Sequence, residues 1–190
     1  IGGFIDGILD GTIPPEKHDY YLSVVSVEIK RLSRVVQSML SLARLESGEQ
    51  RVNPVKFGLT ELACEVMLSQ EQRIESNNIN IEGLDKGTDI TVTADRDLIY
   101  QAVFNLVDNA IKFTSENGTI SVDVSSDGQG VARIAIRNEG KGIPPDEMQH
   151  IFERFYKSDK SRSINKDGTG LGLYITKTIV EIHKGNITVS

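Results

Sequence analysis

Between Leu22 and Ala43, hydrophobic residues recur at alternating spacings of three and four residues. The positions that share this spacing are Leu22, Val25, Ile29, Leu32, Val36, Met39 and Ala43. Such a seam is typical of a coiled coil, and it predicts a long helix from about Glu16 to Ser47 that ends at Ser47-Gly48. A helix cannot bury so narrow a stripe against itself, so we expect it to pair with a second copy of the chain in a dimeric bundle. The alternative is packing only on its own globular domain.

After Gly48, strand-like and helix-like segments follow one another without a regular repeat. Alternating or β-branched runs predict strands at 52–57, 79–81, 90–94, 119–125, 131–137 and 187–189. Helical periodicity predicts helices at 1–9, 59–73 and 171–183, with a short helix after Pro144-Pro145. Asp127-Gly128 is a turn signal, so the strands on either side of it should form an antiparallel hairpin. This mixture predicts an α+β sandwich, with helices on one face of a mixed sheet.

One further helix, capped by Asp95 and running past Phe113, carries the most informative polar face. Asn105 and Asn109 lie one turn apart on it, with Lys112 beside them. The opposite face is apolar and consists of Ile99, Val103, Leu106, Ala110 and Ile111. Amide oxygens are hard ligands and an ammonium group balances phosphate charge, so the polar face suits a hydrated magnesium ion that carries phosphates. The alternative is an ordinary amphipathic helix with a solvated face.

Two glycine-rich segments have the character of ligand-binding loops. In the first, Asn138 to Ile143, two glycines allow a sharp turn against a flat ligand, and the Asn138 amide can accept a hydrogen bond from an exocyclic amine. The alternative for this segment is a plain turn. The second, Asp167 to Leu173, opens a helix, where backbone N–H groups can face phosphate. The chain has neither a Rossmann fingerprint nor a P-loop.

Charge and cysteine content narrow the class of protein. With 21 basic and 27 acidic residues the formal charge is -6, so we expect no nucleic-acid partner held by bulk electrostatics. The single cysteine, Cys64, cannot form an internal disulfide and is expected to be a small buried hydrophobe. No apolar run approaches the length of a membrane span, so we expect an intracellular chain. Ile1 stands in mid-pattern, which indicates a piece of a longer protein.

Four motifs in a fixed order, together with the long helix, resemble one known family. Asn105 to Phe113 resembles the asparagine box of the histidine kinases of two-component signalling, and Asn138 to Ile143 resembles their first glycine box. Phe152 to Tyr156 is similar to their phenylalanine box, and Gly168 to Leu173 to their second glycine box. Tyr20 to Glu46 resembles the second helix of their dimerisation domain. The resemblance covers essentially the whole chain.

The resemblance implies a division into two parts. Residues 1–48 would be the dimerisation and histidine-phosphotransfer domain, a helical hairpin whose first helix lies mostly upstream of Ile1. Residues 49–190 would be the catalytic domain with the Bergerat, or GHKL, ATP-binding fold, whose last strand is cut short. The implied location is the cytoplasmic portion of a membrane-anchored parent protein.

The resemblance also implies the cofactors, ATP and Mg²⁺, and the residues that hold them. Asn109 would coordinate the magnesium ion with Asn105 assisting, and Lys112 would contact phosphate. The implied nucleotide-binding residues are Asn105, Asn109, Lys112, Phe113, Asn138, Gly140, Gly142, Ile143, Phe155, Tyr156, Gly168, Thr169, Gly170, Leu171, Gly172 and Leu173. The polar stretch from Lys157 to Gly168 would form a lid over the phosphates. Asn138 stands where the family usually has aspartate, and it keeps the acceptor while losing the charge.

The implied reaction is transfer of the γ-phosphoryl group of ATP to a histidine upstream of Ile1, and then to an aspartate on a response-regulator receiver domain. The chain's own histidines, His18, His150 and His183, are expected to be surface or structural residues. No catalytic residue and no autophosphorylation are therefore expected in this chain alone.

Two other functions stay open at this point. A GHKL-type ATPase would need a glutamate base one turn before the magnesium-binding asparagine, but that position is Asn105, and an amide cannot take a proton from water. The other function is a non-catalytic dimerisation scaffold that has lost ATP binding. The asparagine at position 138, in place of the usual aspartate, leaves this interpretation open.

Overall fold

The computed structural model describes residues 1–47, 52–84, 90–157 and 168–190. Within these ranges the helices are α1 (Gly2–Leu9), α2 (His18–Glu46), α3 (Leu59–Ser69), α4 (Glu71–Ser76), α5 (Arg96–Phe113) and α6 (Gly172–Ile182). The strands are β1 (Pro54–Gly58), β2 (Asn80–Glu82), β3 (Thr91–Asp95), β4 (Thr119–Ser126) and β5 (Ala132–Asn138). A turn of 3₁₀ helix, Pro15–Lys17, leads into α2. Among the described helices, none is both long enough and apolar enough to cross a membrane.

The strands form two small sheets. β1 and β3 pair in antiparallel fashion, with Val55 opposite Ala94. The second sheet has the order β2-β4-β5, in which β2 is parallel to β4 and β4 is antiparallel to β5, with Val122 opposite Ile136. The antiparallel pair of β4 and β5 confirms the predicted hairpin. Helices combined with a mixed sheet confirm the predicted α+β class.

Two apolar clusters place α5 at the centre of the fold. The larger cluster lies between α3, α5 and the mixed sheet, and its fully buried side chains include Leu62, Val66, Val107, Ile120 and Val122. The smaller one joins the end of α2 to α5 and α6 through Leu42, Leu45, Leu98, Ala102, Leu171, Ile175 and Ile179. Burying each such aliphatic side chain contributes about 1.5–3 kcal/mol. The orientation of α5 is thus set from two sides.

The start of α5 is as predicted, but its apolar surface is wider. The Asp95 side chain caps the helix by accepting a hydrogen bond from the Leu98 backbone N–H at 3.1 Å. The predicted positions Val103, Ala110 and Ile111 are buried, as is Ala102 on the side that faces α6. Leu106, predicted to lie in the core, is only half-buried. A helix sandwiched between two layers needs two apolar faces, and the sequence pattern indicated only one.

Three predicted elements are wrong in detail. The helix predicted at 59–73 is broken at Gln70 (φ -109, ψ 6), which separates α3 from α4. The predicted short helix after Pro145 is a run of turns, because the N–H groups of Glu147 and Met148 share one acceptor, the Pro144 carbonyl, and no regular ladder follows. The predicted strand at 187–189 pairs with no other described segment, and an extended segment becomes a strand only when its backbone groups are paired. Cys64 is free, as expected, but it is half-buried rather than buried.

The predicted seam of α2 is largely open to solvent in a single copy of the chain. Val25 is only 5% exposed, whereas Leu22, Ile29, Leu32, Val36 and Met39 are between 46% and 57% exposed. Near the start of α2, the ring of Phe4 in α1 contacts that of Tyr21, with the ring centroids 5.2 Å apart. α2 ends at Glu46 with Ser47 as its C-cap, in agreement with the predicted stop, whereas Gly48 and the domain boundary at 48/49 lie outside the described residues.

Candidate functional site

The asparagine face of α5 and the second glycine box meet through a direct hydrogen bond. The Asn105 side-chain Nδ2 donates to the backbone carbonyl of Gly172 at 3.2 Å. The same carbonyl accepts a hydrogen bond from Thr176 Oγ1 at 2.9 Å, and Thr176 is fully buried. A Cβ at Gly172 would lie 3.7 Å from Asn105 Cγ, so the two elements are in close contact. Asn105 thus fixes the first turn of α6 against α5.

Asn109 and Lys112 lie further along the same face and differ in the hydrogen bonds that their side chains make. Asn109 is half-buried, and its side chain makes no recorded hydrogen bond with any described residue, so its amide oxygen is available to a ligand. Lys112 Nζ instead donates to Asp108 Oδ2. Asp108 Oδ1 in turn accepts from Arg73 Nη1 at 2.7 Å. The predicted phosphate ligand is therefore held in an ion-pair network in this structure.

The first glycine box lies directly against the end of α5. Thr114 forms an isolated bridge with Gly140, and the Ser115 N–H donates to the Glu139 carbonyl at 3.0 Å. A Cβ at Gly140 would lie 2.2 Å from the Phe113 carbonyl oxygen, which is a steric clash. Only glycine, which has no Cβ, fits at this position. The site residues Asn138 and Phe113 are brought close together by this approach.

The second glycine box lies against the phenylalanine box. Gly170 has φ +72, and a Cβ there would be 2.8 Å from the Phe155 carbonyl carbon. Phe155 itself has φ +59 and is 55% exposed. The Leu171 N–H donates to Thr169 Oγ1 at 3.2 Å, just before α6 begins. The Leu171 side chain is fully buried in the smaller cluster, so only its backbone faces the site.

The remaining predicted residues lie around these contacts. Ile143 is 38% exposed, and Gly142 has φ +65 with open space where a Cβ would lie. The Tyr156 ring lies 5.8 Å from the His150 ring. Gly168 and Leu173 are half-buried at the two ends of the second glycine box. Most of the predicted lid, at 158–167, lies outside the described residues.

A contact that the sequence did not predict joins the end of α2 to the phenylalanine box. Tyr174 Oη donates to Glu46 Oε1 at 2.9 Å, and Arg154 Nη2 donates to Tyr174 Oη at 3.0 Å and also pairs with Glu46. The Arg154 guanidinium lies 4.8 Å from the Tyr174 ring centroid. The hydrogen bond with Tyr174, assisted by the charge of Glu46, holds the pKa of Arg154 above its ordinary value. No local sequence signal marks this contact, because its residues lie far apart in the chain.

The donor set limits how a metal ion could be held here. Among the described residues, no group of three or more His, Cys, Asp or Glu side chains is placed to hold one. Magnesium keeps several waters and is usually bound through one or two protein oxygens together with substrate phosphates. The available amide of Asn109 fits that mode of binding, whereas an all-protein cage is not formed by the described residues.

Comparison with known proteins identifies a family that this chain matches. Residues 94–190 match the family described as histidine kinase-, DNA gyrase B-, and HSP90-like ATPase. The chain is 32% identical over 188 residues to Sensor protein SrrB of Staphylococcus aureus (strain MRSA252), a match that covers 98% of this chain and 32% of that protein. The chain thus spans about a third of the length of such relatives.

Solved structures show the same likeness. The histidine kinase ThkA, in complex with the response regulator protein TrrA, is similar with a TM-score of 0.71 and 30% identity, covering 97% of this chain and 50% of that one. The Acinetobacter baumannii histidine kinase AdeS has a TM-score of 0.75 and 24% identity, covering 95% of this chain and 81% of that one. At that identity the second comparison supports the fold alone.

Proposed function

Since this chain belongs to the sensor histidine kinases, within the family of histidine kinase-, DNA gyrase B-, and HSP90-like ATPases, we propose that it binds Mg-ATP beside the C-terminal half of α5. In the parent protein the γ-phosphoryl group passes to a histidine outside this chain and then to an aspartate of a response-regulator receiver domain. The family supports the proposed kinase role, and the arrangement of α5, the first glycine box and the start of α6 supports the proposed nucleotide site.

The observation that carries the proposal is the contrast between Asn105 and Asn109. The Nδ2 of Asn105 donates to the Gly172 carbonyl and leaves only its Oδ1 open, whereas neither side-chain polar atom of Asn109, one turn later, has a hydrogen-bond partner among the described residues. A half-buried amide oxygen without a partner is an unused hard donor. We therefore assign Asn109 as the primary ligand for Mg²⁺, and Asn105 assists through its open Oδ1 while its Nδ2 holds α6 in place.

The other implied residues surround this position in a way that suits ATP. Phe113 and Ile143 are 37% and 38% exposed, so both offer apolar surface on which a flat base can lie. Asn138 ends β5 beside Gly140 and has an amide oxygen that can accept from the adenine amino group. The start of α6 presents backbone N–H groups toward the phosphates, where the helix N-terminus favours negative charge.

Catalysis by this arrangement is positioning and charge stabilisation. Bound Mg-ATP supplies the phosphoryl group, with the metal neutralising developing charge on the phosphate oxygens. Lys112 would add a second positive charge beside the phosphates, and Asn109 would hold the metal ion in position. The hydrogen bond between Asn105 and Gly172 holds the first turn of α6, so that the backbone N–H groups of that turn stay directed toward the phosphates. None of these residues has to accept a proton, in keeping with an amide at position 105.

The exposed seam of α2 is the proposed site of homodimerisation. Its apolar residues are open in one copy of the chain, and pairing of the helix spanning 16–47 with the same helix of a second copy would cover them. A response-regulator receiver domain is the proposed protein partner, since the similar kinase ThkA forms a complex with a response regulator. The family resemblance further supports a cytoplasmic position for this portion in a membrane-anchored parent.

The scaffold function remains as the second candidate, because Asn138 replaces the usual aspartate. Calorimetric titration with a non-hydrolysable ATP analogue and Mg²⁺ separates the two candidates. We expect saturable binding by the wild-type chain, and tighter binding by Asn138→Asp because a carboxylate is a stronger acceptor than an amide. Failure of both proteins to bind, with their folds intact by circular dichroism, would favour the scaffold.

A further inference from the structure

We propose that Arg73 and Asp108 are positioning residues for Lys112, and that they set both the location and the effective charge of its ammonium group. The proposal rests on the nucleotide site described above, in which Lys112 faces the phosphates. Neither Arg73 nor Asp108 is among the residues that the family resemblance assigns to that site.

The two oxygens of the Asp108 carboxylate have different partners. Oδ2 accepts from Lys112 Nζ, one helical turn later on α5, and Oδ1 accepts from Arg73 Nη1 at 2.7 Å. The side chains of Asp108 and Lys112 are only 22% and 24% exposed. Solvent screens charges in such sheltered positions less than on an open surface. The ammonium group of Lys112 is therefore restrained at a partly buried position, where its charge is less screened by solvent.

Arg73 is itself held in place by the break between α3 and α4. Its Nη1 also donates to Gln70 Oε1 at 2.7 Å, and Gln70 is only 7% exposed. An uninterrupted helix at 59–73 would aim Arg73 in a different direction. The network thus runs from the buried Gln70 through Arg73 and Asp108 to Lys112.

The charges of the network explain why Arg73 is needed. Arg73 and Lys112 share the Asp108 carboxylate, so Arg73 neutralises part of the negative charge that would otherwise act on Lys112 alone. Without Arg73, the Asp108 carboxylate would hold the Lys112 ammonium group more tightly, and the attraction of that ammonium group for phosphate would fall. Unit charges a few ångströms apart in fully solvated surroundings change an affinity about fivefold, so we expect a change of about three- to tenfold for this partly exposed network.

A purely structural role for the network predicts a different outcome. The Arg73 side chain is 42% exposed, and ion pairs of this kind contribute little to folding stability. If Arg73 served only to fasten α4 to α5, its removal would change the unfolding midpoint without a specific effect on nucleotide affinity.

The test is a titration of the chain with a non-hydrolysable ATP analogue and Mg²⁺ at low and at high salt. The variants are Arg73→Gln, Asp108→Asn, the double variant, and Arg73→Lys as the matched control that keeps the charge. Lys112→Met tests the proposed phosphate contact itself. Urea unfolding of each variant reports on its stability.

We expect Arg73→Gln to weaken binding about three- to tenfold at low salt, and less at high salt, while Arg73→Lys stays within about twofold of wild type. In the Asp108→Asn background, the loss of nucleotide affinity caused by Arg73→Gln should fall below about twofold, because Arg73 acts on Lys112 through the Asp108 carboxylate.

Two results would overturn the inference while leaving the nucleotide site intact. One is weaker binding by Lys112→Met together with unchanged binding by Arg73→Gln. The other is an equal loss from Arg73→Gln whether position 108 is aspartate or asparagine. Unchanged binding by Lys112→Met would remove the proposed phosphate contact, and the inference with it.

Discussion

The side-chain amide of Asn105 donates a hydrogen bond to the backbone carbonyl of Gly172, 67 positions later in the chain, across 3.2 Å. The Nδ2 of Asn105 therefore fastens the second glycine box in place, whereas Asn109 has no hydrogen-bond partner among the described residues. Two residues of the same type on the same helix face thus differ in their contribution to the fold.

Replacing Asn105 should destabilise the fold, whereas replacing Asn109 should not. Asn105→Ala removes the donor to Gly172, at a cost of about 1 kcal/mol in the free energy of unfolding. Asn105→Asp should cost more, because a carboxylate placed beside a carbonyl oxygen is repelled. Urea unfolding measures both effects, with Asn109→Ala as the matched control that makes no recorded hydrogen bond among the described residues. Equal stability of all three variants would refute this assignment.

Glycines 170 and 142 should respond differently to alanine although both have positive φ, +72 and +65. Gly142→Ala meets only the backbone cost of a left-handed conformation, about 1–2 kcal/mol. Gly170→Ala adds a clash with the Phe155 backbone, at 2.8 Å from the new Cβ, and such overpacking costs about 1–3 kcal/mol more. Chemical unfolding of the two variants side by side gives the difference. If they were equally stable, the second glycine box would not pack against the phenylalanine box as described.

His183 should be the histidine that matters for stability. Its Nε2 accepts from the backbone N–H of the buried Asp95 at 3.1 Å, and its Nδ1 donates to the Ile179 carbonyl at 2.8 Å. His183→Ala leaves the Asp95 N–H unpaired, at a cost of about 1–3 kcal/mol. His150→Ala is the control: His150 is half-buried, but its ring nitrogens contact only the exposed side chains of Gln149 and Glu153, so the variant should stay within about 0.5 kcal/mol of wild type. Thermal unfolding that ranks the two variants the other way would contradict the assignment.

The exposed seam of α2 gives a prediction about association. Leu32→Arg places a charge in the seam and should shift the chain toward monomer, because a cation cannot be buried at a helix interface without a partner. Val27→Arg changes another apolar side chain of α2, which is 50% exposed but lies outside the seam, and it should leave association unchanged. Sedimentation equilibrium over a concentration series reports both. Equal association of the two variants would place the interface elsewhere.

Features encoded by neighbouring residues were predictable from the sequence. The cap at Asp95, the hairpin at Asp127-Gly128 and the order of the glycine boxes depend on short-range chemistry, and the structure has the cap and the hairpin where they were predicted. The ion pair between Asp108 and Lys112 could also have been predicted from the sequence, because opposite charges spaced i,i+4 on a helix favour pairing.

Features that depend on tertiary packing were not predictable. The break between α3 and α4 falls at Gln70, whose buried side chain accepts a hydrogen bond from Arg73, and no local sequence signal connects Arg73 to Asp108. The contact between Glu46 and Arg154 joins residues 108 positions apart. The strand expected at 187–189 had the right composition, but its pairing depends on a neighbouring strand that composition does not report.

We propose that Asn109 holds the magnesium ion of bound ATP, and calorimetric titration of Asn109→Ala is the first test of this role. A non-hydrolysable ATP analogue would be titrated into the wild-type chain and into the variant, each with and without Mg²⁺. We expect Mg²⁺ to tighten binding to the wild-type chain and to have no such effect on the variant, whose unfolding midpoint stays unchanged. An equal gain from Mg²⁺ in both proteins would contradict the claim.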